Sequence, residues 1–306
     1  MKKPKVIVVI GSTASGKSDL AVHLAKKYNG EVISADSRQV YTGLNIGSGK
    51  ITKKEMHGVP HHLLNVASPR HVYTAAHFKK DATKTLRYIV RKGKVPIIAG
   101  GTGFYVDVLL GTLSLPEVPP NEKLRAALEK LSNEKLFKKI QKLSPARALT
   151  IERDHKRRLI RAIEIATALG DVPKNKKESL YDVLKIGITT DDTILKTRIK
   201  KRLIARLKTG MIAEVEKLHA KGLSWRRMDN LGLEYRFLSR YLKRGSVLSK
   251  NEMIEQLNTA IWHYAKRQKN WFRKDKKTKW FSTNTTGFTK KEIKKIEQTV
   301  SKFLKI

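Results

Sequence analysis

The sequence predicts an α/β protein built on a parallel sheet, with a mostly helical insertion domain. Three observations predict it. Residues 6–10, VIVVI, are β-branched and continuous, the pattern of a parallel strand buried on both faces. Strand-like apolar runs then alternate with helical stretches. A glycine-rich loop, GSTASGKS, joins the first strand to the first helix.

The elements follow in order. The first helix runs from about Gly16 to Tyr28 and stops at Asn29-Gly30, a left-handed helix end. EVISAD is a second short strand ending at Asp36. A helix is predicted from Thr74 to Arg91, stopped by Lys92-Gly93. KVPIIAGGTG gives a third strand and a second glycine turn. This alternation predicts right-handed crossovers. After Gly111, LSLPEVPP breaks the pattern, and Asn121 to Leu169 is helical and charged. KIGITTD, residues 185–191, reads as a strand returning to the sheet. The expected division is a core of residues 1–113 and 182–306 with an insertion at 114–181. Residues 192–281 read as helical, with 23 Lys or Arg against 7 acids from Arg198 to Phe281. TNTTGFT precedes a last amphipathic helix, Lys290 to Leu304.

The chain has 306 residues and carries 65 Lys and Arg against 27 Asp and Glu, a formal charge of +38. Such an excess points to a polyanionic partner, nucleic acid before an anionic membrane, with a uniformly basic proteome as the bland alternative. There is no Cys, which excludes disulfides, thiolate zinc sites and Cys nucleophiles and fits a reducing cytoplasm. The apolar run in MKKPKVIVVIGS passes straight into the glycine loop, so it reads as a buried strand and not a signal peptide. No run approaches the ~20 apolar residues of a membrane span. The nine His show no metal-ligand spacing, and His57, His61 and His62 read as loop residues.

Gly11, Ser12, Thr13, Ala14, Ser15, Gly16, Lys17 and Ser18 satisfy G-x-x-x-x-G-K-[ST], a P-loop, and the core is therefore expected to be P-loop NTPase-like. The glycines let backbone N–H groups turn inward, Lys17 adds a point charge, and the helix N-terminus adds its dipole. The Ser18 hydroxyl is the candidate Mg²⁺ ligand. The loop specifies a diphosphate-bearing ligand without specifying ATP. Nucleotide hydrolases usually carry a later apolar strand ending in Asp, whereas VPIIAGGTG ends in glycines and Thr102. Asp36 instead puts a carboxylate at the carboxyl end of a neighbouring strand. A small-molecule kinase places a substrate-binding acid there, and so does any enzyme needing a base beside a bound diphosphate.

Several stretches together resemble the bacterial tRNA dimethylallyltransferases (tRNA isopentenyltransferases). They are GSTASGKS, ISADSRQVYTGLNIGSGK, the PHHLLN…YTAAHF segment from Pro60 to Phe78, IIAGGTGFYVDVLLGTL, KRRLIRAIEI, RIKKRLIARLKTGMIAEVEKL, LGLEYR and AKRQKNWFR. They run in family order from residue 6 to about 281. The resemblance implies transfer of a dimethylallyl group from dimethylallyl diphosphate to the N6 amine of the adenosine 3′ of the anticodon. It implies that the loop holds the donor diphosphate, that Asp36 is the base, that Thr102 bonds the diphosphate bridge, and that Arg202 clamps the leaving group. Arg198, one turn earlier, competes for that last role. A capping role for Thr102 is the plainer alternative.

The target base must leave the stacked anticodon loop to reach Asp36. Ser37, Arg38 and Gln39 then become candidate contacts to the base and its neighbours. Arg158 and Arg161 share one face of the inserted helix, where with Lys156 and Arg157 they form a phosphate-binding stripe. Arg236, Lys266, Arg267, Gln268, Trp271 and Arg273 complete the tRNA candidates, with core packing as the alternative for Trp271. The implied partners are tRNA, dimethylallyl diphosphate and Mg²⁺, with no membrane, in a cytoplasmic monomer. ATP binding stays open. Ser12, Asn65 and GSGKIT depart from the family pattern, where Pro, Asp and a GTAKP-type stretch are usual. Two rival readings remain at this point, a P-loop small-molecule or nucleotide kinase and an RNA-binding P-loop NTPase.

Overall fold

A computed structural model describes residues 3–175 and 178–305. The chain divides into two compact units, one of residues 1–111 and 179–306 and one of residues 112–178. The first begins with β1 (Lys5–Gly11), α1 (Lys17–Lys27), β2 (Gly30–Ser34), α2 (Lys53–Met56), β3 (His61–His62), α3 (Ala75–Arg91), β4 (Val95–Gly100) and α4 (Gly103–Leu109). The second unit holds α5 (Glu122–Glu129), α6 (Asn133–Leu143), α7 (Pro145–Ala148) and α8 (Lys156–Leu169). The chain then returns to the first unit through β5 (Asp182–Thr190), α9 (Asp192–Lys208), α10 (Met211–Ala220), α11 (Trp225–Leu231), α12 (Leu233–Leu242), α13 (Lys250–Arg273), β6 (Lys279–Thr283) and α14 (Lys290–Leu304).

The six strands form one parallel sheet in the order β3-β2-β4-β1-β5-β6. The two-residue period of β1 divides the core. Val6, Val8 and Ile10 face a cluster with Phe78, Leu86 and Ile89 of α3 and Tyr105 and Leu109 of α4. Ile7 and Val9 face the opposite cluster, with Leu20 and Leu24 of α1 and Ile296 and Val300 of α14. A side chain on either face of such a strand meets helix, so the run is apolar without alternation. Helices α9 to α13 enclose a third core around Leu203, Met211, Tyr235, Leu257 and Ile261. In the second unit Leu136, Ile140, Leu159 and Ile163 pack together, and the buried Glu164 carboxylate accepts from Arg125, Arg161 and the Asn121 N–H.

The sequence reading needs three corrections. The stretch 192–281 is not wholly helical, because β6 begins at Lys279 and pairs with β5. Its five residues are too few for a period-two signal and are preceded by lysines. His61 and His62 are not loop residues but a two-residue strand paired with Val32 and Ile33. Asp36 does follow β2, but β4 lies between β2 and β1, so its strand is one removed from the phosphate loop's. No helix among the described residues is long and apolar enough to cross a membrane.

The edge strand β3 is fastened by charge. Glu31 of β2 is 1% exposed and accepts from Lys94 Nζ at 2.7 Å and Lys92 Nζ at 3.0 Å, with His62 Nε2 at 2.7 Å. Burial alone would raise this carboxyl, but the bonds from Lys94, His62 and Lys92 outweigh it and hold it down at about 2. Glu31 therefore adds stability that is fully present above its unfolded value and lost as pH falls through about 2. Glu31→Ala leaves three basic groups crowded without an anion and is expected to cost about 3 kcal/mol. Chemical denaturation checks this, and an unchanged midpoint would contradict it.

Candidate active site

The carboxyl ends of β1, β2 and β4 open onto a cavity of about 320 Å³. Its floor is the loop after β1. Gly16 adopts φ 89° at the start of α1, and Ala14 is also left-handed, which turns the loop back on itself. Lys17 and Ser18 line the cavity. Lys17 Nζ donates to Ser12 O at 2.5 Å. Burial pulls the Lys17 ammonium down to about 7, the Arg202 charge adds to the fall, and Asp36 opposes it.

Asp36 stands on the opposite wall, past the end of β2. Its Oδ1 accepts from the N–H of Arg38 at 2.8 Å and of Gln39 at 3.2 Å, an Asx-type turn that fixes the carboxylate. Thr102 lies behind it. At the N-terminus of α4 its side chain makes no cap; Oγ1 accepts from the Ser37 N–H at 3.0 Å. Thr102 thus braces the Asp36 turn and is not part of the cavity lining.

Arg202 and Arg206, one turn apart on α9, both line the cavity. Desolvation there, and then the Arg206 charge, lower Arg202 to about 10, still a cation at neutral pH. Arg198 points elsewhere: its guanidinium donates to Asn284 O and lies 3.5 Å from Thr283 Oγ1. The geometry therefore separates the two candidates and puts Arg202 beside Lys17.

Gln268 is 6% exposed and spends its amide inside the protein. Its Oε1 accepts from the Thr13 N–H at 2.8 Å and its Nε2 donates to Gly101 O at 2.8 Å. A Cβ on Gly101 would come within 2.2 Å of that Nε2, so residue 101 must be glycine for the bridge to form. Ser12 Oγ adds a bond to Ala265 O on the same helix.

The remaining candidates scatter. Ser37, Arg38, Gln39 and Arg236 line the cavity with Arg267. Lys266, Arg267 and Arg273 are exposed on α13. Trp271 packs against Phe104 and donates its indole N–H to Asp107, so it forms part of the α4 packing. In the second unit Arg158 is exposed and paired with Glu152, whereas Arg161 is half-buried, bound to Glu164 and Val118 O. Sequence reasoning missed Arg206, Glu234 and Tyr264, which also line the cavity. Arg206 and Glu234 form an ion pair at 3.3 Å, and burial raises the Glu234 carboxyl. The spacing of Arg206 one turn past Arg202 was the available signal for it.

Among the described residues no cluster of three or more His, Asp or Glu surrounds a point. The cavity offers the exposed Ser18 hydroxyl and the Asp36 carboxylate. That donor set fits Mg²⁺ held mainly by substrate phosphates and water, and does not fit an ion caged by protein.

Known proteins resemble the chain over most of its length. Residues 39–275 match the family model described as IPP transferase. A tRNA dimethylallyltransferase 2 of Citrifermentans bemidjiense is 43% identical over 271 residues, 89% of this chain and 87% of that one. The crystal structure of a tRNA isopentenylpyrophosphate transferase from Bacillus halodurans superposes with TM-score 0.76 at 34% identity, covering 99% of this chain and 97% of that chain. A eukaryotic dimethylallyltransferase acting on tRNA shares the fold, with TM-score 0.80 at 24% identity over 97% of this chain and 78% of that chain. The chain belongs to the IPP transferase family.

In the free protein Lys17 is expected to exchange its proton near neutral pH, and Arg202→Gln to move that titration upward by removing a repelling cation. NMR of the lysine ε-methylene groups checks both. A Lys17 that titrates near its ordinary value, or is unmoved by the substitution, would contradict the electrostatic picture.

Proposed function

We propose that this member of the family transfers a dimethylallyl group from dimethylallyl diphosphate to N6 of the adenosine 3′ of the anticodon in tRNA. Diphosphate is the second product. The kinase and NTPase readings are not favoured by the family. The observation that carries the proposal is one cavity with a phosphate loop and Arg202 on one side and a fixed carboxylate on the other.

The chemistry divides along those walls. Backbone N–H groups of residues 16–18, Lys17 and Arg202 bind the diphosphate and stabilise the charge it gains on leaving. Mg²⁺, held by Ser18 and the diphosphate, would neutralise more of that charge. The bond from the allylic carbon to oxygen breaks with its electron pair going to diphosphate, and the bond from that carbon to N6 forms. The Asp36 carboxylate takes the N6 proton, which matters because the amine lone pair is delocalised into the ring. Thr102 acts here as a positioning residue, through its bond to Ser37.

Arg38, Arg236 and Arg267 are proposed to meet the RNA at the cavity, with Lys266 and Arg273 following its phosphates along α13. Arg158 is proposed to bind phosphate from the insertion. Gln268 and Trp271 support the site from inside, while Arg161 is spent on Glu164 within the second unit. The reading is of a cytoplasmic monomer carrying one tRNA.

The test incubates protein, Mg²⁺ and labelled dimethylallyl diphosphate with unmodified tRNA transcripts bearing the target adenosine. Label is expected on tRNA, and Asp36→Ala is expected to lower the rate by about 10²–10⁴-fold. Label transferred at the same rate by the variant would remove Asp36 as base. No label with the wild-type chain would overturn the reading itself.

A further inference from the structure

We infer that Glu214, outside the cavity, is a positioning residue that sets the adenosine-side wall of the site. The inference rests on the transferase reading above. Residues 45–50 form a turn that presents Ser48 and Gly49 to the cavity. The turn is anchored from α10. The Glu214 carboxylate accepts from the N–H groups of Asn45 at 2.9 Å, Ile46 at 2.7 Å and Gly47 at 3.0 Å. The Tyr235 hydroxyl donates to the same carboxylate at 2.8 Å. Three consecutive backbone donors and a phenol on one carboxylate form a charge-assisted set of bonds.

The anchored turn touches the catalytic wall at two points. Gly49 O accepts from Gln39 Nε2 at 3.2 Å, and the Gln39 N–H is one of the two donors that hold Asp36 Oδ1. Gly49, at φ +57°, also lies against the Arg206 guanidinium: a Cβ there would fall 1.7 Å from Nη2. Arg206 in turn pairs with Glu234. Displacement of the turn therefore moves Gln39 and Arg206 together. Lys50 closes the turn's far end, donating to Tyr41 O at 2.7 Å and to Asn45 Oδ1 at 3.1 Å and Asn65 Oδ1 at 2.5 Å. These three acceptors are neutral, so Glu214 supplies the anionic anchor of the turn. The two departures noted in the sequence, GSGKIT and Asn65, thus meet at one bond.

The phosphate loop depends on none of this, because Gln268 and Ala265 of α13 hold it. Loss of the Glu214 charge should therefore separate the two substrates. A shift on the order of 1 Å at a reacting group costs up to about 10²-fold in rate. In Glu214→Gln the expected result is a 10- to 100-fold loss in kcat/KM for tRNA. The dissociation constant for dimethylallyl diphosphate, measured by equilibrium dialysis, should stay within about twofold of wild type, because the bonds of the loop that binds it are untouched.

Glu214→Asp keeps the carboxylate and should recover most of the lost rate. Thermal unfolding of each variant shows whether it is folded, and Glu214→Asp with Tyr235→Phe reads the same quantities if Glu214→Gln does not fold. For Tyr235→Phe, which leaves the three N–H bonds in place, a measurable but smaller loss is expected, again confined to tRNA. Unchanged kcat/KM in the folded variants would overturn the inference. So would donor binding that weakens by the same factor, or a Glu214→Asp variant as impaired as Glu214→Gln. A wild-type chain without transfer would sink the function and not this assignment alone.

Discussion

The arrangement depends on one side-chain amide. Gln268 reaches from α13 between the two glycine loops, accepts from Thr13 and donates to Gly101. The phosphate loop follows β1 and the Gly101 loop follows β4, adjacent strands of the sheet. The bridge ties the two loops to one side chain, beyond the link through their strands. A buried amide with both ends satisfied contributes a modest net energy, but an unmatched end would cost more than the bond gains, so the register is strongly specified. The small residue at 101 and the long polar one at 268 are two halves of the same contact.

Around this bridge the site separates into an anion side and a carboxylate side. The anion side is backbone geometry with Lys17 and Arg202. Burial lowers Lys17 far more consequentially than Arg202, since about 7 lies within the working range of pH and about 10 does not. A bound diphosphate would favour the charged form of Lys17, so binding and protonation support each other. The carboxylate side is a turn held by backbone donors, by Thr102 and, further out, by Glu214. None of these bonds runs to the phosphate loop.

Much of the site was legible because its chemistry is local. A P-loop is contiguous, so Gly11 to Ser18 could be read at once, and Asp36 follows a run of apolar residues ending at a strand's carboxyl end. The helix from Lys290 to Leu304 was legible from its amphipathic period. What stayed hidden is long-range or very short. Gln268 looked like an RNA contact because its neighbours Lys266 and Arg267 are exposed cations, and only the fold turns its side chain inward. Arg161 looked like part of a basic stripe, and the fold gives it to Glu164. β3 has two residues and β6 five, too few to carry a periodic pattern. Glu214 gave no sign, since its partners are three backbone N–H groups and a tyrosine hydroxyl, all far away in sequence.

The central claim is that the Gln268 bridge holds the phosphate loop in its binding shape. Gln268→Met keeps the length and removes both hydrogen bonds. The most direct measurement is the dissociation constant of this variant for dimethylallyl diphosphate, with thermal unfolding recorded on the same sample. A folded variant that binds the donor about tenfold more weakly, the effect of losing roughly one hydrogen bond's worth of loop order, is the predicted result. A folded variant with wild-type donor affinity would contradict the account.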